Sequence, residues 1–227
     1  MGKPSKKSLE SQSEESKADK FFNLGLEYME SGKPDEAVDT FMKALEIYRR
    51  LKGENYEKVG YLRNNLANCM LQKEELDKAD FHLKMAMDNF TWSGKHRWVA
   101  DVIHKMGVVF REREKFREAH EHFQKATEMY KALFGENSSY IAVVALNWGT
   151  AYWDEEKINE AMAQYKKAEE ILKLHPKDNF GLATLVGVYT NMGNMLEEQR
   201  RIVEAQKYFK KCRQIKQKLS RTWLGSK

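Results

Sequence analysis

The chain has 227 residues and a formal net charge of +5, with 41% hydrophobic residues, 32% charged residues and only three prolines. This composition is typical of a soluble, helix-rich protein. The longest uninterrupted apolar run, from Tyr140 to Leu146, has seven residues. A membrane-spanning helix needs roughly 20, so no membrane span is expected.

The N-terminal segment, residues 1–17, consists mainly of Ser, Lys and Glu and has almost no apolar side chains. Such a segment cannot bury enough surface to offset the entropy lost on ordering. We therefore expect a disordered polar tail rather than a signal peptide, and a folded region that begins at residue 18.

Five copies of one unit follow this tail. An alanine recurs at spacings of 42, 40, 42 and 44 residues, at Ala37, Ala79, Ala119, Ala161 and Ala205. Four residues after it stands an aromatic residue or Leu, at Phe41, Leu83, Phe123, Tyr165 and Phe209. Twelve residues before it stands a small residue, at Gly25, Ala67, Gly107, Gly149 and Gly193. Residues three, four and seven apart lie on one stripe of a helix, so each unit is predicted to be a helical hairpin with close backbone packing.

The pattern predicts two helices in each repeat. The pairs are 18–31 and 35–52, 57–73 and 76–91, 97–113 and 115–133, 139–155 and 158–174, and 180–199 and 201–220. The five repeats are then 18–56, 57–96, 97–138, 139–179 and 180–220, followed by a tail over 221–227. Gly53, Gly94 and Gly135 are predicted to be left-handed residues just past a helix end, whereas Pro176 ends the helix at the fourth joint.

The motifs L-G-x-x-Y and A-x-x-x-F-x-x-A resemble the tetratricopeptide repeat over roughly residues 18–219. The units are about eight residues longer than that family's usual 34, and joints such as Leu133 to Asn137 resemble the kinesin-light-chain type. The resemblance implies an all-α, right-handed superhelical solenoid of five helix-turn-helix hairpins. It also implies a protein-binding role, with the first helix of each hairpin lining a concave groove.

One groove position is asparagine in four repeats and lysine in the third: Asn23, Asn65, Lys105, Asn147 and Asn191. An asparagine side chain both donates and accepts hydrogen bonds, so a ladder of them suits the backbone of an extended peptide. The resemblance implies this use, but asparagine is also common here in repeats without a ligand, so a structural role stays open. Trp153, at the border of the groove, is either an aromatic anchor or packs against the next repeat.

Catalytic chemistry is not indicated. His120 and His122 are two residues apart on a predicted helix, so their side chains point about 200° apart rather than toward one metal ion. The chain has no Gly-rich phosphate loop and no cysteine pair at metal-ligand spacing. We predict no enzymatic activity, no metal and no cofactor, and we expect Cys69 and Cys212 to be buried free thiols in a reducing compartment.

The C-terminal end is strongly basic. Residues 200–227 hold ten Lys or Arg residues and one Glu, a net charge of +9, which leaves −4 for the rest of the chain. Lys207, Lys210, Lys211 and Lys218 cover the face opposite the apolar stripe of the last helix. This face is either a solubilising cap or a dock for an acidic partner such as a tubulin tail, an acidic protein helix or RNA. Because no aromatic stacking pattern accompanies the charges, nucleic acid is the weakest of these candidates, together with a membrane surface.

These observations predict a non-enzymatic, cytoplasmic adaptor that holds a peptide or helical segment in its concave groove. The alternative is a structural subunit of a larger, cytoskeletal assembly, bound through its outer edges and its basic C-terminal helix. A groove that selects one class of peptide favours the first, and co-purification with a polymer favours the second.

Overall fold

The structure is a computed structural model that describes residues 6–175 and 178–224, with side chains described for 10–175 and 178–220. All regular structure in these residues is helical. The ten helices are α1 (Lys6–Glu30), α2 (Pro34–Lys52), α3 (Glu57–Gln72), α4 (Leu76–Trp92), α5 (His96–Glu112), α6 (Phe116–Phe134), α7 (Ser139–Asp154), α8 (Ile158–Lys173), α9 (Asn179–Glu198) and α10 (Ile202–Leu224). They confirm the predicted all-α class and the two helices per repeat. No helix in the described part of the chain is long and apolar enough to cross a membrane.

The chain forms two compact units, residues 1–113 and 114–227. In the first unit each helix from α1 to α4 packs against the next one along the chain. The second unit follows the same order from α6 to α10, and in it α7 also contacts α9, so the first helices of neighbouring hairpins touch. Packing between neighbours is what stacked hairpins require, because each hairpin buries its apolar face only against the next.

In three repeats the small residue of the repeated pattern is a glycine that lies directly beneath an aromatic ring of the paired helix. A Cβ atom built on Gly25 would lie 2.6 Å from Cδ1 of Phe41, and one on Gly149 would lie 2.6 Å from Cε1 of Tyr165. Gly193 is the third, with Phe209 Cδ1 at 2.7 Å. The missing side chain therefore makes room for the ring, as the repeated pattern predicts.

The turn inside each hairpin contains a residue with positive φ. This residue is Gly32 in the first repeat, but Glu74 (φ 58), Glu114 (φ 56), Glu156 (φ 61) and Arg200 (φ 59) in the others. The backbone N–H of the following residue bonds back across the turn, as from Glu75 to the carbonyl of Met70 at 2.9 Å. This bond ends the first helix in a Schellman motif, which normally favours glycine.

Glu74→Gly and Glu156→Gly are each expected to raise the free energy of unfolding by about 0.5–1 kcal/mol, because glycine adopts positive φ without a Cβ penalty. Urea denaturation followed by circular dichroism measures the change. Glu170→Gly, an exposed position inside α8, is the control and should lower the free energy by about 1 kcal/mol. A loss of stability in the two turn variants would contradict the explanation.

The joints between hairpins partly follow the prediction. Gly53, Gly94 and Gly135 all have positive φ, as predicted. At Gly53 and Gly135, however, ψ is 174° and 171°. These two glycines therefore have an extended conformation with positive φ, which lies outside the left-handed helical region. Pro176 lies outside the described residues.

The two ends of the chain differ from the predicted bounds. Helix α1 begins at Lys6, which corrects the expected disordered tail over residues 6–17, and α10 continues to Leu224 rather than 220. Three acidic residues of α1 pair with basic residues of α2 and α3: Glu14 with Arg50 (2.7 Å), Glu15 with Lys52 (2.9 Å) and Asp19 with Lys58. These partners give a polar helix something to pack against. Residues 1–5 and 225–227 lie outside the described chain.

Candidate functional site

The predicted groove residues lie on the first helices of their hairpins. Asn23 on α1 is exposed, and its counterparts Asn65 on α3, Lys105 on α5, Asn147 on α7 and Asn191 on α9 are half-buried. Whether a ligand can bind these side chains depends on how many of their hydrogen-bonding groups are already paired within the protein.

Lys105 is held by partners within the first unit. Its Nζ donates hydrogen bonds to Asp101 Oδ2 (2.7 Å) and to Asn64 Oδ1 (2.9 Å), and the Asn64 amide donates to the same carboxylate at 3.0 Å. Burial alone would raise the pKa of Asp101, but Lys105, with His104 and Asn64, lowers it below its usual value. The three side chains form an ionised cluster that ties α3 to α5.

The two asparagines of the first unit retain unpaired groups. Asn65 donates from Nδ2 to the carbonyl oxygen of Tyr61 (3.0 Å), one turn earlier on the same helix. Its Oδ1 and the whole amide of Asn23 have no hydrogen bond among the described residues. Neither group is therefore used in a hydrogen bond within the described part of the first unit.

In the second unit, polar side chains bridge α7 and α9. Asn191 donates from Nδ2 to Oγ1 of Thr150 at 3.1 Å, and Trp153 donates from Nε1 to Oε2 of Glu198 at 2.9 Å. Asn147 is half-buried and also has an interaction partner. The contacts of Asn191 and Trp153 therefore connect neighbouring hairpins of the second unit.

Trp153 also borders an open cleft of about 480 Å³ in the second unit. The cleft is lined by Thr150, Trp153, Asp154, Glu156, Ile158 and Glu198. An indole next to carboxylates suits a cationic side chain, which gains both cation–π and ionic attraction. The bond to Glu198 and the exposed cleft wall leave both predicted roles of Trp153 open, anchor and packing.

The basic residues of α10 divide into two groups. Lys207, Lys210 and Lys218 are exposed, whereas Lys211 is half-buried. Nζ of Lys211 donates to Glu169 Oε1 at 3.1 Å and lies about 5 Å above the rings of two tyrosines. It thus belongs to the fold as well as to the predicted basic surface.

Glu169 is the shared partner of Lys211, Lys173 and Tyr189. The side chain of Glu169 is buried, and its Oε1 accepts hydrogen bonds from the hydroxyl of Tyr189 (2.9 Å) and from Lys211. The same oxygen forms a salt bridge with Nζ of Lys173 at 2.6 Å. Burial would raise the pKa of Glu169, but the bonds from Lys173, Lys211 and Tyr189 lower it instead. A buried carboxylate with these partners fastens α8, α9 and α10 together.

Comparison with known families decides where the chain belongs. A family model, Tetratricopeptide repeat, matches residues 17–91 and 98–173. The chain belongs to the tetratricopeptide-repeat family. No curated protein sequence matches it.

Solved structures share the fold of this tetratricopeptide-repeat chain at low sequence identity. BtubC from P. vanneervenii is 17% identical, with a TM-score of 0.63, and the match covers 92% of each chain. The nearly identical TPR-like repeats assigned to a kinesin light chain of Podosopora anserina are 14% identical, with a TM-score of 0.61 over 90% of this chain and 97% of that one. NprR in complex with its cognate peptide NprX is 17% identical, with a TM-score of 0.72 over 86% of this chain and 54% of NprR. The likeness to kinesin-light-chain repeats agrees with the long repeat units of the sequence.

The two histidines of α6 have separate partners in the second unit of this tetratricopeptide-repeat protein. Trp148 Nε1 donates to Nδ1 of His120 at 2.7 Å, so the other ring nitrogen carries the proton and donates to Glu155 Oε1 at 3.0 Å. The Nδ1 atom of His122 lies 2.8 Å from the carbonyl oxygen of Glu118. No group of His, Cys, Asp or Glu in the described residues is arranged to hold a metal ion.

The sequence located the candidate side chains but not the residues with which they form hydrogen bonds and ion pairs. The repeat pattern does not predict the contact of Glu169 with Lys211 or of Glu198 with Trp153, because these partners lie 42 and 45 residues away. A partial signal was present for Glu169, whose spacing of four residues to Lys173 is that of a helical ion pair.

Proposed function

We propose that this chain is a non-enzymatic protein-interaction adaptor that binds an extended peptide or a helical segment along the first helices of its hairpins. The observation that carries the proposal is the recurrence of asparagine at one position of these helices, with an unpaired amide on Asn23 and an unpaired Oδ1 on Asn65 among the described residues. Main-chain pairing by such amides gives affinity for a peptide whatever its sequence. The peptide complex of NprR, a protein of similar fold, is consistent with this use.

The proposal assigns different roles to the groove residues. Asn23 and Asn65 offer hydrogen bonds directly, whereas Lys105 keeps α3 and α5 together through Asp101. In the second unit Oδ1 of Asn191 accepts from the peptide beside Asn147, and the Trp153 cleft receives a side chain of the ligand. A cytoplasmic location is part of the proposal, because the buried free thiols of the chain suit a reducing compartment.

Replacing Asn23, Asn65 and Asn191 together with alanine is expected to weaken peptide binding about 100-fold, at about 1 kcal/mol per lost hydrogen bond. The ligand is a peptide selected from a random display library on the full chain, and fluorescence anisotropy measures its Kd. The matched control replaces Asn55, Asn159 and Asn179, three exposed asparagines outside these positions, and should leave Kd unchanged.

Thermal melting separates binding from folding in this experiment. Loss of the Asn191 bond to Thr150 should lower the melting temperature by only a few degrees, because one partly exposed bond contributes about 1 kcal/mol. A triple variant that melts far earlier but still binds the peptide when folded would show that the asparagines are structural, and would overturn the proposed function.

The second candidate, a structural subunit docked through its edges, rests on exposed apolar residues at the joints of the second unit. Phe134 and Phe180 are 47% and 51% exposed, and their ring centroids lie 5.2 and 6.2 Å from that of Tyr140. Exposed clusters of this kind commonly mark interaction surfaces. Co-purification of the chain only with a polymer or a large complex would favour this candidate over the adaptor.

A further inference from the structure

The last helix differs in charge from every other second helix of a hairpin. Helices α2, α6 and α8 each have a net charge of zero and α4 has −1, because they contain equal or nearly equal numbers of acidic and basic residues. Helix α10 has seven Lys or Arg residues and only Glu204, a net charge of +6. The excess positive charge is therefore a property of this one helix and not of the repeat.

Much of this charge is exposed and unpaired. Lys207, Lys210 and Arg213 are exposed, and none has an ion pair with any residue that the structure describes, although Lys207 has a longer-range attraction to Glu204. Val203 is 72% exposed and stands four and seven residues before the two lysines, so it lies on the same stripe of the helix. These four residues form the outer face of α10.

A solubilising cap does not explain a single sign of charge. Mixed charges hydrate a terminal helix equally well, as the balanced sequences of the other second helices illustrate. Lysine and arginine three or four residues apart repel each other and destabilise a helix by about 0.2–0.5 kcal/mol per pair. An anionic partner would relieve this repulsion and gain from the positive potential.

We propose that the outer face of α10 docks an acidic polypeptide segment that places carboxylates against Lys207, Lys210 and Arg213 and an apolar side chain against Val203. The two described aromatic residues of α10 are unsuited to stacking on bases. Tyr208 lies 6.0 Å from the ring of Tyr189, and Phe209 packs against Gly193. A polypeptide, which combines carboxylates with apolar side chains, fits this face better than RNA does.

A membrane surface is the weaker fit for a similar reason. Interfacial helices insert a broad apolar face among the lipids. The exposed large hydrophobic residues of the described part of α10 are only Ile202 and Val203, both in its first turn. Two neighbouring side chains provide one local contact, which a protein partner can use.

The test measures binding of a fluorescent synthetic peptide to the full chain by anisotropy, using an amphipathic helix of about 20 residues with glutamate on one face and leucine beside it. The triple variant Lys207→Glu, Lys210→Glu and Arg213→Glu is expected to lose at least about tenfold in affinity at about 50 mM salt. The control reverses Lys20, Lys125 and Lys166, which are equally exposed and change the net charge by the same amount. It should lose less than about threefold, and circular dichroism should show both variants folded.

Further variants and ligands in the same assay determine which kind of partner binds the outer face of α10. Val203→Ser should weaken the peptide about threefold without changing its salt dependence, and no effect would overturn the choice of a polypeptide over other polyanions. Tighter binding of an oligouridylate of equal length, or of phosphatidylserine vesicles, would also overturn it. Absence of peptide binding combined with dimerisation that the triple variant abolishes would assign the face to a second copy of the chain instead. The asparagine variants should bind the acidic peptide normally, so this inference and the proposed function can fail separately.

Discussion

Gly25→Val is expected to lower the free energy of unfolding of the first unit by about 4 kcal/mol. A Cβ at this position lies 2.6 Å from Cδ1 of Phe41, a ring that is fully buried between α1 and α2. Because protein interiors are close-packed, the added methyl groups must displace the ring or separate the helices. Urea denaturation of the full chain, followed by circular dichroism, measures the loss.

A double-mutant cycle identifies the cause. Phe41→Ala alone should cost about 3–5 kcal/mol because it leaves a cavity. In the double variant the valine occupies part of that cavity, so the combined loss should be about 2 kcal/mol smaller than the sum of the single losses. Glu27→Val, at an exposed position on the same helix, controls for helix propensity and should cost less than about 1 kcal/mol. Additive losses would refute the packing explanation.

The repeated spacing made this packing predictable. The positions of Gly25 and Phe41 follow from local periodicity, since residues three, four and seven apart must share a helix face. The chain repeats the same solution with Gly149 and Tyr165 and with Gly193 and Phe209. Repetition supplies several independent observations of one structural unit, so the class of fold and nearly all helix bounds could be predicted.

Features that depend on long-range contacts could not be predicted. Residues 6–17 look disordered by composition, and only partners such as Arg50, 36 residues from Glu14, explain why they form a helix. Likewise Glu74 does not have the composition of a left-handed turn residue, and its positive φ is imposed by the hydrogen bonds that close the hairpin. Local sequence reports propensity, whereas these features come from tertiary structure that overrides it.

The candidate site divides in the same way. Sequence located the asparagine positions, because they recur with the repeat, and it located the basic helix from its composition. It could not tell which side chains are already in use, since Asn191 reaches Thr150 across 41 residues and Lys211 reaches Glu169 across 42. The unpaired groups of Asn23 and the unpaired cations of α10 are consequently where the two proposals can be tested most directly.

The first unit is also expected to lose stability in mild acid, between pH 6.5 and 4, because it buries two neutral histidines. Burial lowers the pKa of His82 to about 4, with a smaller contribution from Arg63. Burial likewise lowers the pKa of His104 to about 4, where the lowering by Lys105 adds to it and Asp101 opposes it. In the unfolded chain both titrate near 6.5, so the unfolded state binds more protons throughout this interval.

Because the pKa values of the two histidines are lower in the folded state, the first unit is more stable at high pH than at low pH. The stabilisation is complete above pH 6.5 and is lost as the pH falls toward 4, and at pH 5 the two histidines together should cost about 4 kcal/mol. Carboxylates such as Asp101, whose pKa is also lowered in the fold, lose their contribution only below about pH 4.5, so pH 5 isolates the histidines. The expected result is a fall of about 4 kcal/mol in the free energy of unfolding of the first unit between pH 7 and pH 5. Hydrogen exchange of peptides from residues 6–113, corrected for the intrinsic rate, measures it.

The variant His82→Gln with His104→Gln removes both titrating groups and retains polar side chains of similar size. Its stability at pH 7 should be within about 2 kcal/mol of the parent, since the buried histidines are neutral there and their replacement changes mainly packing. Between pH 7 and pH 5 its first unit should change by less than about 1 kcal/mol. If parent and variant instead fall equally, other groups cause the acid sensitivity. If neither changes, the two histidines are hydrated in solution and their pKa values are close to normal.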